Sequence, residues 1–425
     1  MTTDPFEKPG SLRDSMQDAQ GPIGYLRSPV AIRARAEEML ELGLRGALDH
    51  FEVRLENLQS VIARCERVTR ARYPDLAIPP HGRMGHFRVG DVDRTKDLDL
   101  RIAHLSREEQ ARIRFALVVT SVLLDAGAGD SWRYREPGSG AVFSRSEGLA
   151  VASYHQFVSG LFSSDPKSPL RADAAGLDAL DPMRLGIAFQ AGAHNPLVGL
   201  EGRAELLARL GSAMRAAPHF FGNEPPRAGR LFDAIAARAE GGLLPARRIL
   251  HALLEALAPI WPGRIVLLGV NLGDVWSHSK IGGSGPTAHL VPFHKLSQWL
   301  TYSLLEPLER AGIAVIGVDE LTGLAEYRNG GLFVDSDVLV PRHAAVTREA
   351  HTPGSEIIVE WRALTIALLD RVALGLRTSL GLDAVRLPMA RVLEGGTWAA
   401  GREIALEKRA GGGPPITIAS DGTVF

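Results

Sequence analysis

Apolar residues recur at three- and four-residue spacing through most of the chain, with charged residues between them, which is the pattern of amphipathic helices packed on a shared core. VAIRARAEEMLELGLRGAL and FEVRLENLQSVIARCERVTRARY form a first such pair, and residues 106–126 pass from charged to wholly apolar, so that helix enters the core. DPMRLGIAFQA, GLEGRAELLARLGSAM, RAGRLFDAIAARA and LLPARRILHALLEALAPI repeat the pattern, and SEIIVEWRALTIALLDRVALGL is apolar on nearly every face, as a buried helix is. GRIVLLGV is the one run expected to be a buried strand, and AVIGV reads as a short extended run. The expectation is a mainly α, multi-helical fold with a few short strands. Residues 1–28, polar and punctuated by Pro and Gly, read as a flexible arm, 29–128 as an N-terminal helical region, and 129–425 as the part that carries chemistry.

Charge and composition narrow the partners. Lys plus Arg number 48 against 49 Asp plus Glu, a formal net charge of -1, so no global field steers the chain to nucleic acid or an anionic membrane. The single cysteine, Cys65, leaves no intramolecular disulfide and sits in a helical pattern where packing is its expected role. No apolar run is long enough to span a membrane and the N-terminus has no apolar signal segment, so a cytoplasmic location is expected.

Polar groups crowd into otherwise apolar sequence between residues 291 and 335. Leu296, Leu300, Leu304 and Leu308 mark a helix with Pro292 near its start, and His294, Lys295 and Gln298 share its first turns, where the positive end suits an anionic or hydroxyl-rich ligand. Asp319 is the expected N-cap of a second helix, with Glu326, Tyr327 and Arg328 at its end before a glycine pair. Elsewhere His81, Arg83 and His86 cluster in a glycine-broken loop able to present cations. Trp132 precedes a Pro-Gly turn, Arg145, Ser146 and Glu147 lie at the mouth of a helix, and Glu360 and Arg362 open the buried one. Each of these has a plainer reading, as a solvated loop, an aromatic at the core edge, or an ion pair of Glu360 and Arg362 with Arg328 or Lys295. The glycine-rich stretch 271–289 matches no phosphate-loop spacing, and His278, His289 and His294 match no standard metal spacing.

The phrases GPTAHLVPFHKLSQWLTYSLLEPLE, LTGLAEYRNGGLFVD and EWRALTIALLD, with HGRMGHF, resemble a family encoded with the uracil-catabolism (Urc) pathway, over essentially the whole chain from Pro29. A remoter resemblance links residues 130–375 to the queuosine-salvage nucleoside glycosylases, whose all-helical fold is similar to helix-hairpin-helix DNA glycosylases. Phe293, His294, Lys295 and Gln298 mirror one phrase of that family, Thr322, Ala325, Glu326, Tyr327 and Arg328 another, and Glu360, Trp361 and Arg362 a third. The acid is glutamate here and aspartate there, and HALLEALAPIWPGRIVLLG looks inserted, so a queuine pocket is not expected.

Together the resemblances imply hydrolysis of an N-ribosidic bond in a product of uracil breakdown, N-ribosylurea or its 5'-phosphate, without a cofactor or metal. They imply Glu326 as the catalytic carboxylate, with Asp319 a second candidate for activating water. Lys295 and Arg328 would hold phosphate or ribose oxygens, and His294 and Gln298 the hydroxyls or the urea. The partner is then a small ribosyl compound. A metal-dependent amidohydrolase, which needs His278, His289 or His294 to converge with a carboxylate, and a non-catalytic pathway scaffold are the rival readings.

Overall fold

The structure is a computed structural model and describes residues 21–125 and 127–419. Helices dominate, as the periodicity predicts. Those that build the core and the site are α1 (Pro29–Leu44), α2 (Leu58–Arg72), α3 (Arg107–Leu123), α4 (Arg145–Val158), α5 (Leu200–Ala216), α6 (Ala246–Ala256), α7 (Lys295–Arg310), α8 (Tyr327–Asp335), α9 (Glu356–Leu380) and α10 (Trp398–Lys408). α9 is the axis: every residue from Ile358 to Leu369 is buried, which explains its lack of a polar face. α1 and α2 pack on α9, α3 packs between α4 and α7, and α8 lies in the angle between α9 and α10.

Small residues let α8 come close. A Cβ added at Gly330 would stand 2.7 Å from the Trp361 ring of α9, and one at Gly401 of α10 would stand 2.5 Å from the Arg328 carbonyl oxygen. The strands form two-stranded ladders only. Phe51–Val53 pairs antiparallel with Leu339–Pro341, tying the N-terminal part to the region after α8, and Ala350–His351 pairs in parallel with Thr417–Ile418 near the C-terminus. One hydrophobic core runs from Ile32 to Ile416, so the sequence division at residue 128 is not a division of the core.

Several expectations change in detail. Residues 1–20 of the expected arm lie outside the described residues, and Gly21–Leu26 is a helix that buries Leu26 against Leu272 and Val275. GRIVLLGV is an exposed hairpin, Val266–Leu267 with Val270–Asn271, because Leu268 and Gly269 both take positive φ and turn the chain back after two residues. AVIGV does contain a short strand, Ala314–Ile316, paired in parallel with Leu243–Pro245. Pro292 ends a strand, Leu290–Pro292, and α7 begins only at Lys295, with His294 in left-handed conformation (φ 48°) as its N-cap. Cys65 is buried, and burial pushes its thiol up to about 12, which fits packing. Among the described residues no helix is long and apolar enough to cross a membrane.

Candidate active site

α8 places the carboxylate. Glu326 is its N-cap, one residue before the helix, not at the end of a helix opened by Asp319. Its Oε2 accepts from the Arg328 N–H at 2.7 Å and its Oε1 from the Asn329 N–H at 2.6 Å. Two otherwise unpaired helix donors are thereby satisfied, and a negative charge sits at the positive end of the helix. Asp319 lies in the short 3-10 turn Val318–Glu320, capped by Gly317, and does not line the cavity that Glu326 lines. The expectation for Asp319 is therefore corrected both as cap and as second carboxylate.

α7 places the cation. Its N-terminus is held by Asp274, whose Oδ2 accepts from the Lys295 N–H at 2.9 Å. The Asp274 carboxylate also takes a two-pronged contact from Arg362 (2.7 and 2.8 Å) and the Trp276 indole N–H (2.7 Å). Burial would raise the Asp274 carboxyl, but the Arg362 charge and these donors hold it far below the usual carboxylate range. Arg362 thus joins α9 to the start of α7, and its guanidinium covers the Phe293 ring at 4.0 Å. The Lys295 side chain enters the cavity and makes no hydrogen bond or ion pair among the described residues. Burial lowers its ammonium from the ordinary lysine value, against the pull of Glu326 and Asp125.

Glu326 and Lys295 share a cavity of about 440 Å³, within the range of small-molecule sites. Tyr327, Arg328, His81 and His86 line it too, so the loop at residues 81–87, here a short helix (Arg83–His86), meets the polar stretch between residues 291 and 335. Arg145, Ser146 and Glu147 at the start of α4 form another part of the wall. Arg145 stands at φ 55°, a strained setting for a non-glycine residue. Its guanidinium binds the Gly411 carbonyl (2.7 Å), while Arg328 binds that of Gly412 (3.0 Å), so both anchor the C-terminal segment whose Pro414, Thr417 and Ile418 border the cavity. Arg83 lies behind the wall. It binds Asp125 (3.0 Å), the Ser121 carbonyl (2.8 Å) and His86 Nδ1 (3.1 Å), and covers the Trp299 ring at 5.1 Å.

Other expected site residues have structural partners. His294 contacts the Leu26 carbonyl (2.9 Å), and burial lowers its imidazole to about 4. Gln298 donates to Thr322 Oγ1 (2.6 Å) inside the core. Glu360 faces His278 (3.3 Å) and accepts the His50 N–H (3.2 Å), so its partner is neither Arg328 nor Lys295. Trp132 is buried and donates its indole N–H to the Phe189 carbonyl (3.0 Å). None of these five residues, Arg362 included with them as the Asp274 partner, borders the cavity. The three histidines considered for metal are not gathered, and no group of three His, Cys, Asp or Glu side chains among the described residues is placed to hold a metal ion.

The sequence reading missed Asp125, Trp299, Trp398 and Arg402. Asp125 accepts from Ser146 Oγ (2.8 and 2.7 Å) and stands just past the apolar end of α3, where a lone acid was the available signal. Trp299 follows Lys295 by four residues on the same helix face. Arg402, which pairs with Glu147 (2.9 Å), and Trp398 share such a spacing in α10, but nothing local marks them.

Comparison with known proteins finds relatives along nearly the whole chain. The family described as "Protein of unknown function (DUF1688)" matches residues 25–425. The chain is 40% identical over 413 residues to "Protein urg3" of Schizosaccharomyces pombe, covering 95% of this chain and 99% of that one. It is 38% identical over 438 residues to "Uracil catabolism protein 4" of Lachancea kluyveri, with the same coverage. The chain therefore belongs to the DUF1688 family and is related along nearly its full length to both yeast proteins.

Proposed function

We propose that the chain acts in uracil catabolism as an N-ribosyl hydrolase, releasing urea from N-ribosylurea or its 5'-phosphate. The relative named for uracil catabolism supports the pathway. The observation that carries the chemistry is a fixed carboxylate, Glu326, in one open cavity with an ammonium, Lys295, that has no hydrogen-bond or ion-pair partner among the described residues.

Breaking a ribosidic bond builds positive charge on C1', and a carboxylate already fixed in place stabilises that charge without reorganising. With both oxygens held by α8 N–H groups, Glu326 suits this electrostatic role better than that of a mobile nucleophile. Asp125, one of three further carboxylates that line the cavity with Asp130 and Glu147, replaces Asp319 as the group that orients and deprotonates water. The C1'–N bond breaks with its electron pair on the ureido nitrogen, the water oxygen bonds to C1', and the water proton ends on the departing urea. Lys295 binds ribose or phosphate oxygens, which compensates the desolvation that burial imposes on its ammonium. A scaffold would have these polar groups engaged with one another and no cavity, and a metal-dependent amidohydrolase would need gathered ligands. The cavity, and the lack among the described residues of three side chains grouped as metal ligands, weigh against both.

The test is incubation of the purified protein with ribosylurea, its 5'-phosphate, uridine and uridine monophosphate, following urea and uracil by chromatography. Urea release that disappears in Glu326→Gln is the expected result. Uracil release would keep a ribosidase and change its substrate, and no release from any of the four would overturn the reading.

A further inference from the structure

One wall of the cavity consists of four rings. His81 and His86 lie 6.1 Å apart edge to face, and each stands 5.8 to 6.5 Å from Trp299 and from Trp398 at tilts of 38 to 46°. Each imidazole has one nitrogen committed away from the cavity. His81 Nδ1 is 2.8 Å from Glu394 Oε2, and Tyr73 Oη (2.9 Å) and Arg72 (3.1 Å) donate to the other oxygen of that carboxylate. Burial would raise the Glu394 carboxyl, but these partners bring it down to about 2, so it can only accept and His81 Nδ1 carries the proton. His86 Nδ1 is 3.1 Å from Arg83 Nη1, and a guanidinium has no acceptor, so this nitrogen contributes its lone pair. Burial and the Arg83 charge press the His86 imidazole down to about 3, which keeps it neutral with its proton on Nε2.

The second nitrogen of each ring makes no hydrogen bond among the described residues. In its neutral form the wall therefore offers an acceptor at His81 Nε2 and a donor at His86 Nε2–H, on rings whose centroids lie 6.1 Å apart, with two indoles beside them. A hydroxyl donates and accepts through one atom and needs no such division of roles. An amide edge, with N–H and C=O on neighbouring atoms of a flat group, matches it.

We propose that this wall is a subsite for a planar H–N–C=O group, ureido or pyrimidine, whose N–H donates to His81 Nε2 and whose oxygen accepts from His86 Nε2–H. Glu394 and Arg83 act as positioning residues that fix the two tautomers. The proposal deepens the ribosidase reading and rests on it only for the compound that carries the group. In that reaction His86 meets the ureido oxygen as the C1'–N electron pair passes to the leaving group.

The experiment uses the full chain labelled with ¹⁵N-histidine. Long-range ¹H–¹⁵N spectra should show the Nδ1–H tautomer at His81 and the Nε2–H tautomer at His86. N-methylurea should shift both Nε2 signals, and tetramethylurea, which has no N–H, should leave His81 Nε2 unmoved. His86→Phe should weaken N-methylurea binding about tenfold, the effect of one lost hydrogen bond to a buried group, and His86→Gln, which restores a donor, should recover most of it. The reverse tautomers, or ring signals indifferent to N-methylurea, would overturn the subsite even if ribosylurea is turned over. N-methylurea bound at both rings without ribosylurea turnover would support the subsite and remove the ribosidase reading.

Discussion

Glu326 and Lys295 bring opposite charges to one cavity with opposite degrees of support. Two backbone N–H groups hold the carboxylate, whereas burial desolvates the ammonium, which has no partner among the described residues, so substitution should separate function from stability. Glu326→Gln keeps the shape and one acceptor but removes the charge that the proposed reaction sets against C1'. It should lower kcat by about 100- to 1,000-fold, the scale of one lost transition-state contact, with little change in KM. Lys295→Met should instead raise the thermal midpoint, because the desolvated charge is gone, while raising KM for ribosylurea by about tenfold or more. A Met variant less stable than the parent, measured by calorimetry, would show that Lys295 has a structural partner. At this scale the sequence was informative where polar residues interrupt apolar periodicity, as at Lys295 and Glu326–Arg328. It was silent on Trp398 and Arg402, whose local pattern is that of any surface helix, and it misassigned Trp132, His294 and Gln298 because burial of a polar atom looks the same whether its partner is a ligand or a distant carbonyl.

α7 and α9 meet at Asp274, and that carboxylate turns two helices into one support for the cavity. It binds the Arg362 guanidinium of α9 and the first N–H of α7, so the position of Lys295 depends on an ion pair from which Lys295 itself is absent. Asp274→Asn removes the carboxylate with which buried Arg362 makes its two-pronged contact and should cost about 3–5 kcal/mol in denaturant unfolding. Adding Arg362→Met should recover part of that loss, and strictly additive effects in the double-mutant cycle would refute the latch. The long helices and their core faces were legible because 3.6-residue periodicity survives any tertiary context, whereas short ones such as Arg94–Ile102 and Met389–Val392 were not. Helix starts were less so: Glu326 and not Asp319 caps α8, since the choice depends on which acid finds free N–H groups after the chain has turned. The hairpin at 266–271 was misjudged for a related reason, as Leu-Gly supplies a tight turn without the usual Asn-Gly signal.

Across the whole molecule the cavity joins segments near residues 81–86, 125–130, 145–147, 295–299, 324–328 and 398–418, and no local pattern could state that they meet. The fold also sets imidazoles in surroundings that disfavour their charged form, which gives it a response to acid. His294 is lowered to about 4 by burial and His86 to about 3 by burial and the Arg83 charge, against an ordinary histidine value of 6.5. Between pH 6.5 and about 4 the unfolded chain takes up protons at these positions while the folded chain does not. Stability must then fall as the pH falls, by about 1.4 kcal/mol per pH unit for each proton. Unfolding free energy measured in denaturant from pH 7 to 4.5 should show an uptake of one to two protons from this pair. His294→Asn, a residue that tolerates the left-handed backbone at this cap, should remove up to one of them without abolishing folding. Below pH 4.5 the Glu394 carboxyl, brought down to about 2 mainly by its contact with His81 against the effect of burial, adds a further loss. A stability profile flat from pH 7 to 4.5 would mean that these imidazoles are hydrated in the folded chain, and the fixed tautomer at His86 would lose its physical basis with them.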